Sequence, residues 1–219
     1  MRLTVACVMV LTACSRERSP SVQTTSVHAD TTARRTVLIV GTSLTAGLGL
    51  DPDEAWPALI QAKIDSAGLP YHVVNAGLSG ETSAGALRRI DWLLRGPVDV
   101  FVLETGANDG LRGLDTDSLR ANLEAILAKV HTERPAARLA VVQMEAPPNL
   151  GVDYASRFHA VYGQAAKAED ATLLPFLLDS VAGHPALNQA DGMHPNVAGS
   201  RVAAATEWRA MLPLLAESR

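Results

Sequence analysis

The sequence predicts a three-layer α/β/α sandwich around a five-stranded parallel sheet. Two observations lead there. Five short apolar runs alternate with longer segments of helical period, and the runs read apolar at nearly every position instead of every second one. A strand of that kind is covered on both faces, as in a parallel sheet between two helical layers. A third observation concerns placement. Polar, glycine-containing segments follow three of the strands, and open sheets of this type bind ligands beyond the carboxyl ends of their strands.

The first strand is Thr36-Val37-Leu38-Ile39-Val40, ending at a glycine. Residues 54–67 form a helix with Trp56, Leu59, Ile60 and Ile64 on one face. The second strand covers 71–75. A second helix covers 82–94, with Leu87, Ile90, Leu93 and Leu94 as its apolar stripe. The third strand covers 98–103. Residues 115–131 are helical, with Leu119, Leu123, Ile126, Leu127 and Val130 at helical spacing. A fourth strand (138–144), a helix (154–168), a fifth strand (171–176) and a closing helix (197–216) complete the domain, which is expected to span 36–219.

The composition narrows the function. A chain that is 47% hydrophobic can bury a core and is not disordered. The net charge of -4 has no basic block behind it, and aromatics are only 4%, so neither phosphate attraction nor base stacking recruits nucleic acid. No cofactor motif stands out. The histidines at 28, 72, 131, 159 and 184 form no zinc spacing with one another or with a cysteine. The expected partner is a small molecule, and the expected state is a monomer.

The N-terminus carries an address. Arg2 precedes the apolar run Leu3 to Ala13, which is far shorter than the ~20 residues of a membrane span but suits a secretory signal. It ends in Leu11-Thr12-Ala13-Cys14, which resembles a bacterial lipobox. Residues 1–13 then leave as a lipoprotein signal peptide and Cys14 is lipidated. The competing reading is an ordinary signal peptide with a chance cysteine. Residues 14–35 are rich in Ser, Thr and Arg without hydrophobic period, and are expected to be a flexible polar tether reaching roughly 25 Å. The expected location is the bacterial cell envelope, facing periplasm or exterior, at the outer membrane if the cell has one.

The segments after the strands hold the chemistry. They are Gly41-Thr42-Ser43-Leu44, Asn75-Ala76-Gly77-Leu78-Ser79-Gly80, Thr105-Gly106-Ala107-Asn108-Asp109 and, before the last helix, Asp191-Gly192-Met193-His194. A serine hydroxyl needs a base to become a nucleophile, and the base needs a carboxylate to orient it. Ser43 sits between a strand and a turn. Asp191 and His194, three apart in one loop, can pair through one ring nitrogen and leave the other facing outward. Asn108 supplies an amide donor for an oxyanion. Gly77 reads as a turn residue and Asp109 as structural.

These four blocks, in this order, resemble the SGNH hydrolase family, also called GDSL esterases, from Val37 to the last helix. Segments such as Ala55-Trp56-Pro57-Ala58-Leu59 and Asn108-Asp109-Gly110-Leu111-Arg112-Gly113 are similar to its bacterial periplasmic thioesterase/lysophospholipase/arylesterase branch. The resemblance implies a flavodoxin-like sheet, Ser43, Asp191 and His194 as the catalytic triad, and an oxyanion hole from Ser43, Gly80 and Asn108. It also implies that Ala146 and Pro147 contact the acyl group, with no metal or cofactor. The implied activity is hydrolysis of carboxylic esters or thioesters of small to medium acyl chains. One position departs from the family: Thr42 stands where Asp is usual, and a bracing role in the turn is expected of it.

Other readings compete. A carbohydrate acetylesterase is compatible with the same triad, and Thr42 leaves open a catalytically weak ligand-binding lipoprotein. A nucleotide-binding module would need a P-loop ending or a full G-x-G-x-x-G, and has neither. A classical α/β-hydrolase elbow needs glycine two residues after the serine, where this chain has Thr45.

For the N-terminus, mass spectrometry of the chain made in a bacterial host is expected to find diacylated Cys14 as the first residue. An unmodified N-terminus downstream of Cys14 excludes the anchor.

Overall fold

A computed structural model describes residues 34–216. The expectations for the signal peptide, Cys14 and most of the tether fall outside those residues. The described part contains β1 (Arg35–Gly41), α1 (Ser43–Ala46), α2 (Trp56–Ser66), β2 (Tyr71–Gly77), α3 (Ser83–Leu93), β3 (Val100–Leu103) and α4 (Ala107–Leu111). It continues with α5 (Thr116–Glu133), β4 (Arg138–Gln143), α6 (Val152–Ala168), β5 (Thr172–Phe176) and α7 (Val197–Ala216). No helix among the described residues is long and apolar enough to cross a membrane.

The five strands form one sheet in the order β2-β1-β3-β4-β5, and every pairing is parallel. The α/β fold is the one expected. The chain moves from β1 outward to β2, then crosses to the other side of β1 for β3. That reversal opens a crevice at the carboxyl ends of β1 and β3, where open α/β sheets bind their ligands. Helices α2 and α7 pack together, and α3, α5 and α6 pack in series.

Burial follows position in the sheet. β3 is buried throughout, and β1 and β4 are buried apart from their first residues, which accounts for their continuous apolar sequence. The edge strands β2 and β5 are partly exposed. β5 carries Pro175, which has no N–H for the ladder. The register between β4 and β5 slips there, from Val142–Leu174 to Gln143–Phe176.

Element boundaries differ from the sequence reading where local chemistry decides them. α2 begins at Trp56, with Pro57 in its first turn, instead of at residue 54. α6 begins at Val152, two residues early, and β3 begins at Val100, two residues late. β2 runs on to Gly77. The short helices α1 and α4 were not expected, because four or five residues are too few to display a period.

Below the sheet edge the core holds an unusual carboxyl group. Glu207 of α7 is fully buried, and neither of its oxygens has a partner among the described residues. Burial, reinforced by the charge of Glu104, raises its pKa to about 8. Burial likewise raises Glu104 to about 7. Both groups hold a proton in the native chain at pH values where the unfolded chain has lost it. Stability therefore falls as pH rises from about 4.5, the unfolded value, towards 8. Urea unfolding is expected to show the chain less stable at pH 8 than at pH 5 by on the order of 5 kcal/mol. Glu207→Gln should reduce that dependence by about half, leaving the part that Glu104 carries. Identical pH responses in the two proteins would show that Glu207 does not carry it.

Candidate active site

β1 ends at Gly41, Thr42 caps α1, and Ser43 is the first helical residue. The helix is one turn long and closes at Gly47, whose amide bonds the Ser43 carbonyl. A single turn is not stable by itself, so its position is set from below and from the side. From below, Glu104, the residue after β3, accepts hydrogen bonds from the Thr42 amide (2.8 Å), the Thr42 hydroxyl (3.0 Å) and the Thr45 hydroxyl (2.8 Å). From the side, Asn75 of β2 donates to the Thr45 carbonyl (2.8 Å). Only a glycine fits at 41, because a Cβ there would lie 2.0 Å from the Thr45 hydroxyl and 2.7 Å from Glu104.

Across the crevice, His194 Nε2 lies 2.9 Å from Ser43 Oγ, and His194 Nδ1 lies 2.6 Å from Asp191 Oδ2. The other Asp191 oxygen accepts the amides of Met193 (2.9 Å) and His194 (3.0 Å). Hydrogen bonds from the His194 amide, the Met193 amide and the His194 ring hold the Asp191 carboxyl down at a pKa of about 2, so it is ionised at neutral pH. The loop carrying these residues is laced by amide side chains. Gln189 donates to the carbonyls of Leu48 (2.6 Å) and Pro195 (2.9 Å), which joins the end of the α1 segment to the His194 loop. Asn196 accepts the amides of Ala198 (3.0 Å) and Gly199 (3.1 Å) and so caps α7.

The donors expected for an oxyanion hole face the same crevice. Asn108, in the first turn of α4, spends one Nδ2 proton on the Glu81 carbonyl (2.9 Å) and keeps the other. The amides of Ser43 and Gly80 have no partner among the described residues. The Gly77 amide is taken by Asn75 Oδ1 (2.9 Å). Asp109 is buried and accepts the Ser83 amide (2.9 Å) and hydroxyl (2.6 Å), which ties α4 to the start of α3.

One cavity of about 460 Å³ brings together Ser43, Gly80, Asn108, Ala146, Pro147 and His194. Its wall is mostly apolar, with Leu44, Leu48, Leu111, Met144, Phe176 and Leu178. Asp191 stands behind His194, out of the cavity. No cluster of three or more His, Cys, Asp or Glu side chains among the described residues is arranged to hold a metal.

The family model of the GDSL-like lipase/acylhydrolase family matches residues 39–202. The chain belongs to that family. It is 40% identical to the esterase TesA of Pseudomonas aeruginosa over 184 residues, covering 84% of this chain and 90% of that one. It is also 40% identical to the thioesterase 1/protease 1/lysophospholipase L1 of Escherichia coli over 165 residues, 75% of this chain and 77% of that one. A crystal structure of TesA superposes with a TM-score of 0.78 at 40% identity, covering 83% of this chain and all of the other. The chain is thus a hydrolase of carboxylic esters or thioesters.

Sequence reasoning missed Glu104, Asn75 and Gln189. Glu104 had one visible signal: an acidic residue directly after the all-apolar β3, a place where burial is expected. The bracing expected of Thr42 takes a particular form. Its hydroxyl donates to Glu104 and accepts the Leu44 amide only at 3.4 Å. The carboxyl group beneath the Ser43 turn thus comes from the residue just after β3. An aspartate at 42 would set a second carboxyl against Glu104 in a buried site, and one of the two would have to keep a proton.

Glu104→Ala leaves three buried donors unpaired. It is expected to cost on the order of 3 kcal/mol or more of stability, at about 1–3 kcal/mol per stranded group, and to lower kcat through misplacement of Ser43. Glu104→Gln keeps an acceptor for the Thr42 amide and Thr45 hydroxyl and should lose much less of both. Urea midpoints and kcat/KM on one short p-nitrophenyl ester test this. Equal losses in the two variants would contradict the bracing role.

Proposed function

We propose that Ser43 is the acyl-accepting nucleophile, His194 the general base and acid, and Asp191 the group that orients and stabilises the imidazolium. The observation that carries this reading is the unbroken chain from Ser43 Oγ to His194 Nε2 (2.9 Å) and from His194 Nδ1 to Asp191 (2.6 Å). His194 takes the Ser43 proton as Oγ bonds to the acyl carbon, and the carbonyl electrons move onto oxygen. The Ser43 amide, the Gly80 amide and the spare Asn108 proton hold that oxyanion. The intermediate collapses as His194 passes its proton to the leaving oxygen or sulfur. Water then attacks the acyl-enzyme with the same assistance and the free acid departs.

The substrate reading is an ester or thioester with a small to medium acyl chain, as in the arylesterase, acyl-CoA thioesterase and lysophospholipase types. The cavity's size and its apolar wall, including Ala146 and Pro147, support an acyl chain in preference to a sugar ring, which needs hydrogen-bonding side chains. Two relatives at 40% identity, an esterase and a thioesterase/lysophospholipase, support the same class. The complete hydrogen-bonded constellation speaks for catalysis over mere ligand binding. Every group of the site comes from one chain, which supports action as a monomer. The Leu11 to Cys14 motif supports a lipid anchor and a place in the cell envelope.

Ser43→Ala and His194→Ala are expected to remove nearly all turnover with the fold intact, and Asp191→Ala to retain more. Hydrolysis by Ser43→Ala at the wild-type rate would end the assignment. Asn108→Ala should lower kcat by about 10²–10³ with little change in KM. A pure KM effect would make Asn108 a ground-state contact instead. A panel of p-nitrophenyl esters and acyl-CoAs of graded length reads the acyl preference, and a preference for acetylated sugars over every acyl chain would overturn the substrate reading.

A further inference from the structure

The turn that presents Gly80 is gripped from outside by an ion pair. Residues 78–81 form a tight turn, closed by the Glu81 amide on the Leu78 carbonyl (3.2 Å), with Gly80 at φ +78° in its third position. Its first residue is tied to β1 by the Leu78 amide on the Gly41 carbonyl (2.8 Å). Leu78, Ser79 and Gly80 are exposed, so packing does little to hold them.

Arg89 of α3 supplies the shielded restraint, beside an exposed bond from Arg112 to the Gly80 carbonyl. Its Nε donates to Glu81 Oε1 (2.7 Å), and its Nη2 donates both to Glu81 Oε2 (2.6 Å) and to the Ala76 carbonyl (2.7 Å). One guanidinium thereby joins Ala76, two residues before the turn, to Glu81, its last residue. The pair is well shielded, with side-chain exposures of 21% for Arg89 and 5% for Glu81. Glu81 lies close over Gly85, where a Cβ would come within 2.7 Å of its Cγ. Glu81 is also the link to the other donor, because its carbonyl accepts the Asn108 amide (2.9 Å). The relative placement of Gly80 N–H and Asn108 Nδ2 therefore runs through Glu81 inside the turn, and through the more exposed Arg112 at the end of α4, which donates to the Gly80 carbonyl (3.0 Å).

We infer that Glu81 and Arg89 are positioning residues of the oxyanion hole, setting the Gly80 amide against the Asn108 amide. This rests on the roles proposed above for Gly80 and Asn108. A planar, bidentate guanidinium suits the task because it fixes direction as well as distance. Loosening the turn displaces a donor that acts in the transition state and leaves the acyl cavity in place, so kcat falls while KM does not.

The test compares wild type, Arg89→Met, Arg89→Lys, Glu81→Gln, Asn108→Ala and the Arg89→Met/Asn108→Ala double variant. Each is read for kcat and KM on a short p-nitrophenyl ester and for its urea midpoint. Arg89→Met is expected to lower kcat by roughly 10- to 100-fold with KM within about twofold of wild type, Glu81→Gln by a similar factor, and Arg89→Lys by less. In the Asn108→Ala background the effect of Arg89→Met should shrink, because both act on one oxyanion. If Arg89→Met does not fold, Arg89→Lys supplies the same split between kcat and KM. An unchanged kcat in Arg89→Met beside an impaired Asn108→Ala overturns the clamp alone. An unchanged kcat in Asn108→Ala overturns the oxyanion assignment and the clamp with it. A loss in Arg89→Met that is undiminished without Asn108 and tracks a lowered urea midpoint shows a merely structural pair.

Discussion

β1 and β3 pair in register from Val37–Val100 to Val40–Leu103, and the site hangs from the end of that ladder. Parallel strands point the same way, so the residues that leave them emerge side by side at one edge. Ser43 follows β1, and Glu104 and Asn108 follow β3. The outward step to β2 and the return to β3 free the crevice between those ends. The third contributor, the turn at Gly80, reaches the same edge because β2 pairs with β1 residue for residue up to Gly77 opposite Gly41.

What the ladder does not set, a few side chains set. α1 is one helical turn, held by Glu104 from beneath and Asn75 from the side. The 181–196 segment has no strand of its own beyond one isolated antiparallel bridge, Asn188 to Pro195. Asn188 folds it on itself through the carbonyls of Val181 and His184, and Gln189 ties it to Leu48. Loops that must hold a histidine against a serine cannot rely on apolar packing at a solvent edge. Directional hydrogen bonds to carbonyl groups take its place.

The two buried carboxyl groups show a tension between site and stability. Glu104 is surrounded by donors, which offset part of the cost of its burial, whereas Glu207 has none among the described residues. With Glu104 already beneath the Ser43 turn, a hydroxyl at position 42 adds a hydrogen bond without a second charge. The departure at Thr42 is thus compatible with an ordered site, because the acidic partner arrives from β3.

The sequence by itself determined the sheet, its helices and the four blocks that meet at its edge. Those features are local or periodic: Val37 to Val40 are apolar because both faces are covered, and Asp191 and His194 pair within three residues. It did not determine α1 and α4, which are too short for a period, nor the exact starts of α2 and α6, where proline and turn geometry decide. Nor did it assign roles to Glu104, Asn75, Gln189 or the Glu81–Arg89 pair. Except for Glu81 with Arg89, each of these also bonds a residue 30 to 141 positions away. Such bonds exist only after the sheet has folded, because nothing in the neighbouring sequence encodes which carbonyl or carboxylate will stand opposite. Even the Glu81–Arg89 contact, eight positions apart, depends on where α3 begins and on the bare backbone of Gly85. The strand order is likewise not encoded in the alternating βα pattern, which is the same for several orders; the family resemblance implied it, and packing in the tertiary structure sets it.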